Sequence, residues 1–148
     1  MKVGILMGSS KDMPKMEACT EVLDSFDIEY EVHVMSAHRT PHKVAAFAAA
    51  ARGNGFGAII CGAGKAAHLA GAVAAHSTLP VIGVPIAAGG LGGIDALYST
   101  VQMPTGIPVA TVAIDSAANA AYLAASILSL TDDSLAGKLD QYRVDLTR

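Results

Sequence analysis

From Ala66 to Thr131 the chain carries only two charged side chains, Asp95 and Asp115, whereas the first 65 residues carry seven basic and seven acidic ones. A stretch this poor in charge cannot all face water. It is no membrane span either, because Pro80, Pro85, the pairs Gly89-Gly90 and Gly92-Gly93, and Pro104 interrupt it before the roughly 20 apolar residues that a spanning helix needs. Two outlets remain, burial inside the domain and burial against sister subunits. In a chain of 148 residues both are expected, so the sequence predicts one domain assembled as an obligate homo-oligomer.

The formal net charge of -3 gives no electrostatic case for nucleic acid, which needs a clustered basic face. Cys19 and Cys61 are too few and too far apart for a disulfide framework or a zinc knuckle, and are read as reduced thiols of a cytoplasmic protein. Met1 leads directly into a strand-like run, with no signal peptide expected.

Short apolar runs alternate with helical patterns along the chain. Val3 to Met7 reads as a buried strand, followed by a Gly8-Ser9-Ser10 turn and a helix with Met13, Met16, Leu23 and Phe26 inward. Ile28 to Val34 alternates with Glu29, Glu31 and His33, as a half-exposed strand does. Thr40 is a suitable N-cap and Pro41 a suitable first residue for a helix through Val44 and Phe47, stopped by Gly53-Asn54-Gly55. Ala58 to Cys61 is a third strand, and Gly62-Ala63-Gly64 is expected to turn into an alanine-rich helix ending near His76. Val81–Val84 and Val109–Val112 are two further buried strands around a helix at Ile94–Val101, and the last core helix spans Ala117–Leu130. This order predicts an α/β fold, a doubly wound parallel sheet of about five strands covered by helices on both faces. Residues 1–131 form the catalytic domain in this reading, and 132–148 an amphipathic tail helix of the same domain.

In such sheets ligands bind beyond the carboxyl ends of the strands, where three loops converge. Gly8 to Asp12 offers the hydroxyls of Ser9 and Ser10, the Lys11 ammonium and backbone N–H groups at a helix start, as phosphate binding requires. Ser9, Ser10 and Asp12 are also preferred capping residues, so the loop alone has a purely structural reading. Arg39 on the second loop shifts the balance, because each charge-assisted bond to phosphate is worth about 1.5 to 3 kcal/mol and the helix dipole adds up to about 2 kcal/mol. Asp12 would repel a phosphate pressed against it and is better suited to sugar hydroxyls. A ribose 5-phosphate fits both residues.

The second loop, Ser36 to Pro41, sets the His38 imidazole beside the Arg39 guanidinium, an anion site next to a proton carrier. His38 and His42 are not a metal pair, since Pro41 starts the helix between them. His33 is expected at an exposed strand position and His76 at a helix end. His68, placed on a small apolar helix, is more often a satisfied core or interface residue than a catalyst. Gly62, Gly64 and Ala67 partly match a dinucleotide fingerprint, but they follow the third strand and no acidic residue stands at 82–86 for a ribose, so the match is rejected. Cys61 is read as a buried strand-end thiol.

Met7-Gly8-Ser9, Asp12, Ser36 to Pro41, Gly62-Ala63-Gly64 with Ala66 to Leu69, Leu79 to Pro85 and Val101 to Pro104 together resemble the PurE family, the 5-(carboxyamino)imidazole ribonucleotide mutases of purine biosynthesis. The resemblance runs from about Val3 to Leu130. It implies a flavodoxin-like three-layer domain assembled as an octamer, with active sites at subunit contacts. It further implies that Ser9 and Arg39 hold the nucleotide phosphate, that Asp12 holds the ribose hydroxyls, and that His38 carries the catalytic proton, with Ser36 and Ala37 lining the site. Gly62, Ala63, Gly64, Ala67, His68 and Leu69 would wrap the imidazole and the migrating carboxylate, and neither metal nor organic cofactor is needed. Three positions depart from the family pattern. Lys11 stands where a serine is usual, Lys65 where a glycine is common, and Ala70 where a proline is common; Lys11 can serve phosphate as a point charge. The rivals are a direct aminoimidazole ribonucleotide carboxylase using carbon dioxide, in which a lysine follows the histidine in place of Arg39, and a nucleotide-binding module without catalysis.

Overall fold

Each apolar run expected as a strand pairs in parallel with its neighbours, and a computed structural model describes residues 1–147 of this arrangement. The strands are β1 (Lys2–Met7), β2 (Tyr30–Val34), β3 (Phe56–Gly64), β4 (Val81–Ile86) and β5 (Ala110–Thr111), in the spatial order β2-β1-β3-β4-β5. The helices are α1 (Met13–Ser25), α2 (Pro41–Ala51), α3 (Leu69–Ala74), α4 (Ile94–Val101), α5 (Ala117–Leu128) and α6 (Asp133–Asp145), with 3-10 turns at Ser10–Asp12 and Ser129–Thr131.

Side chains of the inner strands alternate between two apolar layers, as the pleat dictates. Val3, Ile5 and Met7, with Ala58, Ile60, Ile82, Val84 and Ile86, face Met16, Cys19 and Leu23 of α1 and the alanine face of α5. On the other side, Leu6, Ile59, Cys61 and Val81 face Val44 and Ala48 of α2 and Leu69 and Val73 of α3. Alanine dominates α5 because small residues allow the helix to lie close to the sheet, with Ala120, Ala121, Ala124 and Ala125 all fully buried. The tail helix α6 is capped by Asp132, whose carboxylate accepts the Leu135 N–H at 3.0 Å, and docks Tyr142 against Tyr122 and Phe26 with ring centroids 4.7 and 5.9 Å apart. Arg148, the last residue of the expected tail, lies outside the described residues.

Four local expectations are corrected. Gly62-Ala63-Gly64 is not a turn but the end of β3, paired with Val84, Pro85 and Ile86 of β4, because β4 extends that far while β1 reaches only Gly62. At Gly62 a glycine is required by packing: a Cβ there would overlap the Met16 sulfur and lie 3.1 Å from Ile86 Cδ1. The helix after it is shorter than expected, beginning only at Leu69, since Lys65 adopts a left-handed backbone and two tight turns follow it. The strand expected at Val109–Val112 shrinks to Ala110–Thr111, an edge strand that is not buried within the chain. Thr40 occupies the N-cap position of α2, but its hydroxyl does not cap; it turns back to the backbone of Ser36.

Candidate active site

The order of the sheet places β1 between β2 and β3, with β2 on one side and β3, β4 and β5 on the other, so the chain winds in opposite directions from this point. Loops leaving β1, β2 and β3 therefore open a crevice at their carboxyl ends. A cavity of about 540 Å³ lies there, walled by the loop Gly8–Asp12, by Ser36 to Arg39 and by Ala63 to His68.

The second loop is folded by its own hydroxyls. Ser36 Oγ accepts the N–H groups of His38 at 3.3 Å and Arg39 at 3.2 Å, while Thr40 Oγ1 accepts the Ser36 N–H at 2.9 Å and donates to the Ser36 carbonyl at 3.1 Å. These bonds point consecutive side chains, His38 and Arg39, out of the loop. Arg39 Nη2 then donates to the Gly8 carbonyl at 2.7 Å, tying the second loop to the first. The first loop opens with Ser9, whose hydroxyl accepts the Lys11 N–H at 3.2 Å. Asp12 follows, its carboxyl held above the usual carboxylate range by burial, against the opposing pull of the Ser9 backbone bond and of Lys15 and Arg39.

The third loop supplies the contact that no spacing could reveal. His68 sits at the N-cap position of α3, exposed, with its Nδ1 2.8 Å from His38 Nε2 and the rings nearly perpendicular at a centroid separation of 4.9 Å. One of the two facing nitrogens must carry the proton and the other accept it. A pair of open imidazoles sharing one proton, beside a cationic anchor and a loop of N–H groups, suits proton transfer on an anionic ligand.

A larger cavity of about 820 Å³ opens at the opposite, amino ends of β4 and β5, but its polar groups are already engaged. Arg52 bonds Thr78 and His76 bonds the Ala72 carbonyl, so nothing reactive converges there. Among the described residues no three of His, Cys, Asp and Glu cluster as metal ligands would. Both cysteines are buried, with burial pushing the Cys19 thiol up to about 12 and the Cys61 thiol also upward.

Residues 2–148 match the AIR carboxylase family. The chain belongs to that family. It is 52% identical over 147 residues to the N5-carboxyaminoimidazole ribonucleotide mutase of Pyrococcus abyssi, a match covering 99% of this chain and 84% of the relative. It is also 52% identical over 140 residues to the phosphoribosylaminoimidazole carboxylase of Saccharomyces cerevisiae, covering 95% of this chain but 24% of that longer protein. The crystal structure of Treponema denticola PurE superposes with a TM-score of 0.86 at 34% identity, covering 98% of this chain and 90% of that one.

In this AIR carboxylase family member, Ser9, Lys11, Asp12, Ser36, Ala37, His38, Arg39, Ala63, Gly64, His68 and Leu69, all singled out in the sequence, line the cavity. Gly62 and Ala67 do not. Gly62 faces Met16 inside the sheet layer, and Ala67 is fully buried behind the loop. His68, for which sequence statistics favour a core or interface position, is exposed in the single chain, because α3 begins only after it, at Leu69. His33 is half-buried rather than exposed, its ring against Phe47 and its Nε2 3.0 Å from Glu31. Ala88, from the loop after β4, joins the wall without having been singled out. The rule that ligands bind at carboxyl ends of strands would have found it, had it been applied to the fourth strand too.

Proposed function

We propose that this chain converts 5-(carboxyamino)imidazole ribonucleotide to 4-carboxy-5-aminoimidazole ribonucleotide in purine (IMP) biosynthesis, as an isomerase that moves a carboxylate from nitrogen to carbon. The observation that carries this reading is the His38 to His68 contact of 2.8 Å, placed next to the loop that Arg39 pins. The names borne by the relatives in this family support it.

In this reading Ser9, Lys11 and Arg39 take the phosphate, and Asp12 takes the ribose hydroxyls. Ser36, Ala37, Ala63, Gly64, His68 and Leu69 surround the base. His38 gives a proton to the exocyclic nitrogen as the bond from that nitrogen to the carboxylate breaks, the electron pair staying on nitrogen and carbon dioxide leaving. The ring carbon then attacks carbon dioxide, and the same imidazole removes the proton from that carbon. One proton is given and one recovered, so a single group of pKa near working pH serves both steps. His68, by hydrogen bonding to Nε2 of His38, holds its ring in place and couples the protonation of the two imidazoles. Closure of the cleft over the bound substrate would keep the small neutral intermediate from escaping.

The enzyme works as a homo-oligomer, an octamer by family resemblance, in the cytoplasm. Leu91, Ile94, Tyr98 and Val101 support assembly: in the single chain they stand 66, 47, 62 and 44% exposed on the charge-poor segment. Residues 1–131 are the catalytic domain, and 132–148 belong to it as a tail. The test is to supply the purified protein with the carboxyaminoimidazole ribonucleotide, or with aminoimidazole ribonucleotide and bicarbonate. Isomerisation of the first without added bicarbonate is expected. Turnover of the second alone would replace the mutase with a direct carboxylase.

A further inference from the structure

Lys65 has φ 55°, one of three described residues other than glycine with a positive φ. The other two are aspartates whose carboxylates are engaged within the chain: Asp115 accepts from Lys15 and the Ala87 N–H, and Asp27 from Lys138. Lysine has no such compensation, and a left-handed backbone costs an L-residue free energy that glycine would not lose. Its side chain therefore invites explanation. The stem runs along the rim of the cleft, where a methyl group placed on Gly89 would lie 3.4 Å from Lys65 Cε. Among the described residues its ammonium has no ion pair or hydrogen bond within the chain.

The cations of the cleft are divided by loop. Lys11 and Arg39 stand on the first two loops, with Ser9, while Lys65 stands on the third, three residues before His68. The one carboxylate in the wall, Asp12, is on the first loop. An unpaired positive charge thus lies on the loop that carries the second imidazole, where a substrate anchored by its phosphate would present its other anion.

We propose that Lys65 is a specificity-determining residue whose ammonium pairs with the substrate's carboxylate, so that the cleft retains carboxylated ribonucleotides over the decarboxylated one. The inference rests on the mutase reading above. The carboxylate is an anion while attached to nitrogen and again while attached to carbon, but the carbon dioxide between these states is neutral. A cation there strengthens binding of both end states more than of the neutral intermediate, so its removal raises KM and does not lower kcat.

The test compares Lys65→Gly and Lys65→Asn, which accept the left-handed backbone without charge, with Lys65→Arg, which keeps the charge. For the carboxyaminoimidazole ribonucleotide, KM is expected to rise about fivefold in the first two with kcat not lowered, as for an ion pair at a partly exposed rim, and to stay near wild type in the third. The inhibition constant of aminoimidazole ribonucleotide, which has the same phosphate and ring but no carboxylate, is expected to be unchanged in all three. A higher melting temperature for Lys65→Gly reports the released strain and shows that the variant is folded. An unchanged KM, or an inhibition constant that rises in parallel with it, overturns the role of Lys65 and leaves the mutase reading intact. Wild-type protein inert toward the carboxylated nucleotide overturns both.

Discussion

Gly83 lies in β4 opposite Cys61 of β3 and Thr111 of β5, on the layer covered by α4. A Cβ added there would overlap Thr100 Cγ2 and lie 3.1 Å from Val109 Cγ1 and 3.4 Å from Ala70 Cβ. Thr100 is 2% exposed, and its Oγ1 donates to the Ala96 carbonyl at 2.7 Å, which fixes its rotamer. Its methyl cannot swing aside without breaking a buried hydrogen bond. Gly83→Ala must instead push α4 off the sheet, an overpacking that costs about 1 to 3 kcal/mol, and about 2 to 4 °C of melting temperature follow each kcal/mol in a domain this long. Thr100→Ser removes the clashing methyl, keeps the hydroxyl, and costs about 1 kcal/mol for the small void left. In the double variant the new methyl fills that void. Its stability should equal or exceed that of Thr100→Ser alone, a favourable coupling of about 1 to 3 kcal/mol. Thermal and urea unfolding at one fixed protomer concentration measure all four proteins, since assembly makes stability concentration-dependent. If the double variant loses the sum of the two single losses to within about 0.5 kcal/mol, the packing argument is wrong.

Replacing His38 by Asn should lower kcat at least about 100-fold, whereas His68→Asn, which removes only the 2.8 Å partner, should lower it about tenfold with KM little changed; equal losses in steady-state assays would remove the distinction between carrier and positioning group. Asp12→Asn should weaken substrate binding about tenfold in KM, yet melt higher than wild type at pH 7. The sign follows from burial, which raises the Asp12 carboxyl in the folded state, so wild type loses stability as pH climbs from near 3.8 through that raised value. The Asn side chain never ionises. Its advantage in melting scans should therefore vanish at pH values below 3.8, and an advantage that persists there would contradict the assignment.

What could be read from the chain was whatever is local or periodic. The apolar runs at Val3, Ala58 and Val81 are strands because each is flanked by turn residues and followed by a helical pattern, and parallel burial on both faces leaves little polar alternation. Ser36, His38 and Arg39 were legible as one group facing the cleft because neighbours in one short loop stay neighbours in space. The length of β3 was not legible. Gly62 to Gly64 has turn-forming composition, and only the partners on β1 and β4 hold it extended. For the same reason the start of α3 was misplaced, and the exposure of His68 at its N-cap position was not legible. Val109 to Val112 reads as a buried strand because its composition is apolar, but apolar composition does not say which strand falls at the edge of the order.

By itself, the sequence determined the alternation of strands and helices, the chemistry on each loop and the poverty of charge in the second half. These depend on contacts between residues a few positions apart. The meeting of His38 with His68, the capture of Gly8 by Arg39, and the reach of Lys65 toward Gly89 were decided by tertiary structure alone. They join loops 24 to 31 residues apart, and such contacts exist only once the sheet order and register have set which strand ends are adjacent.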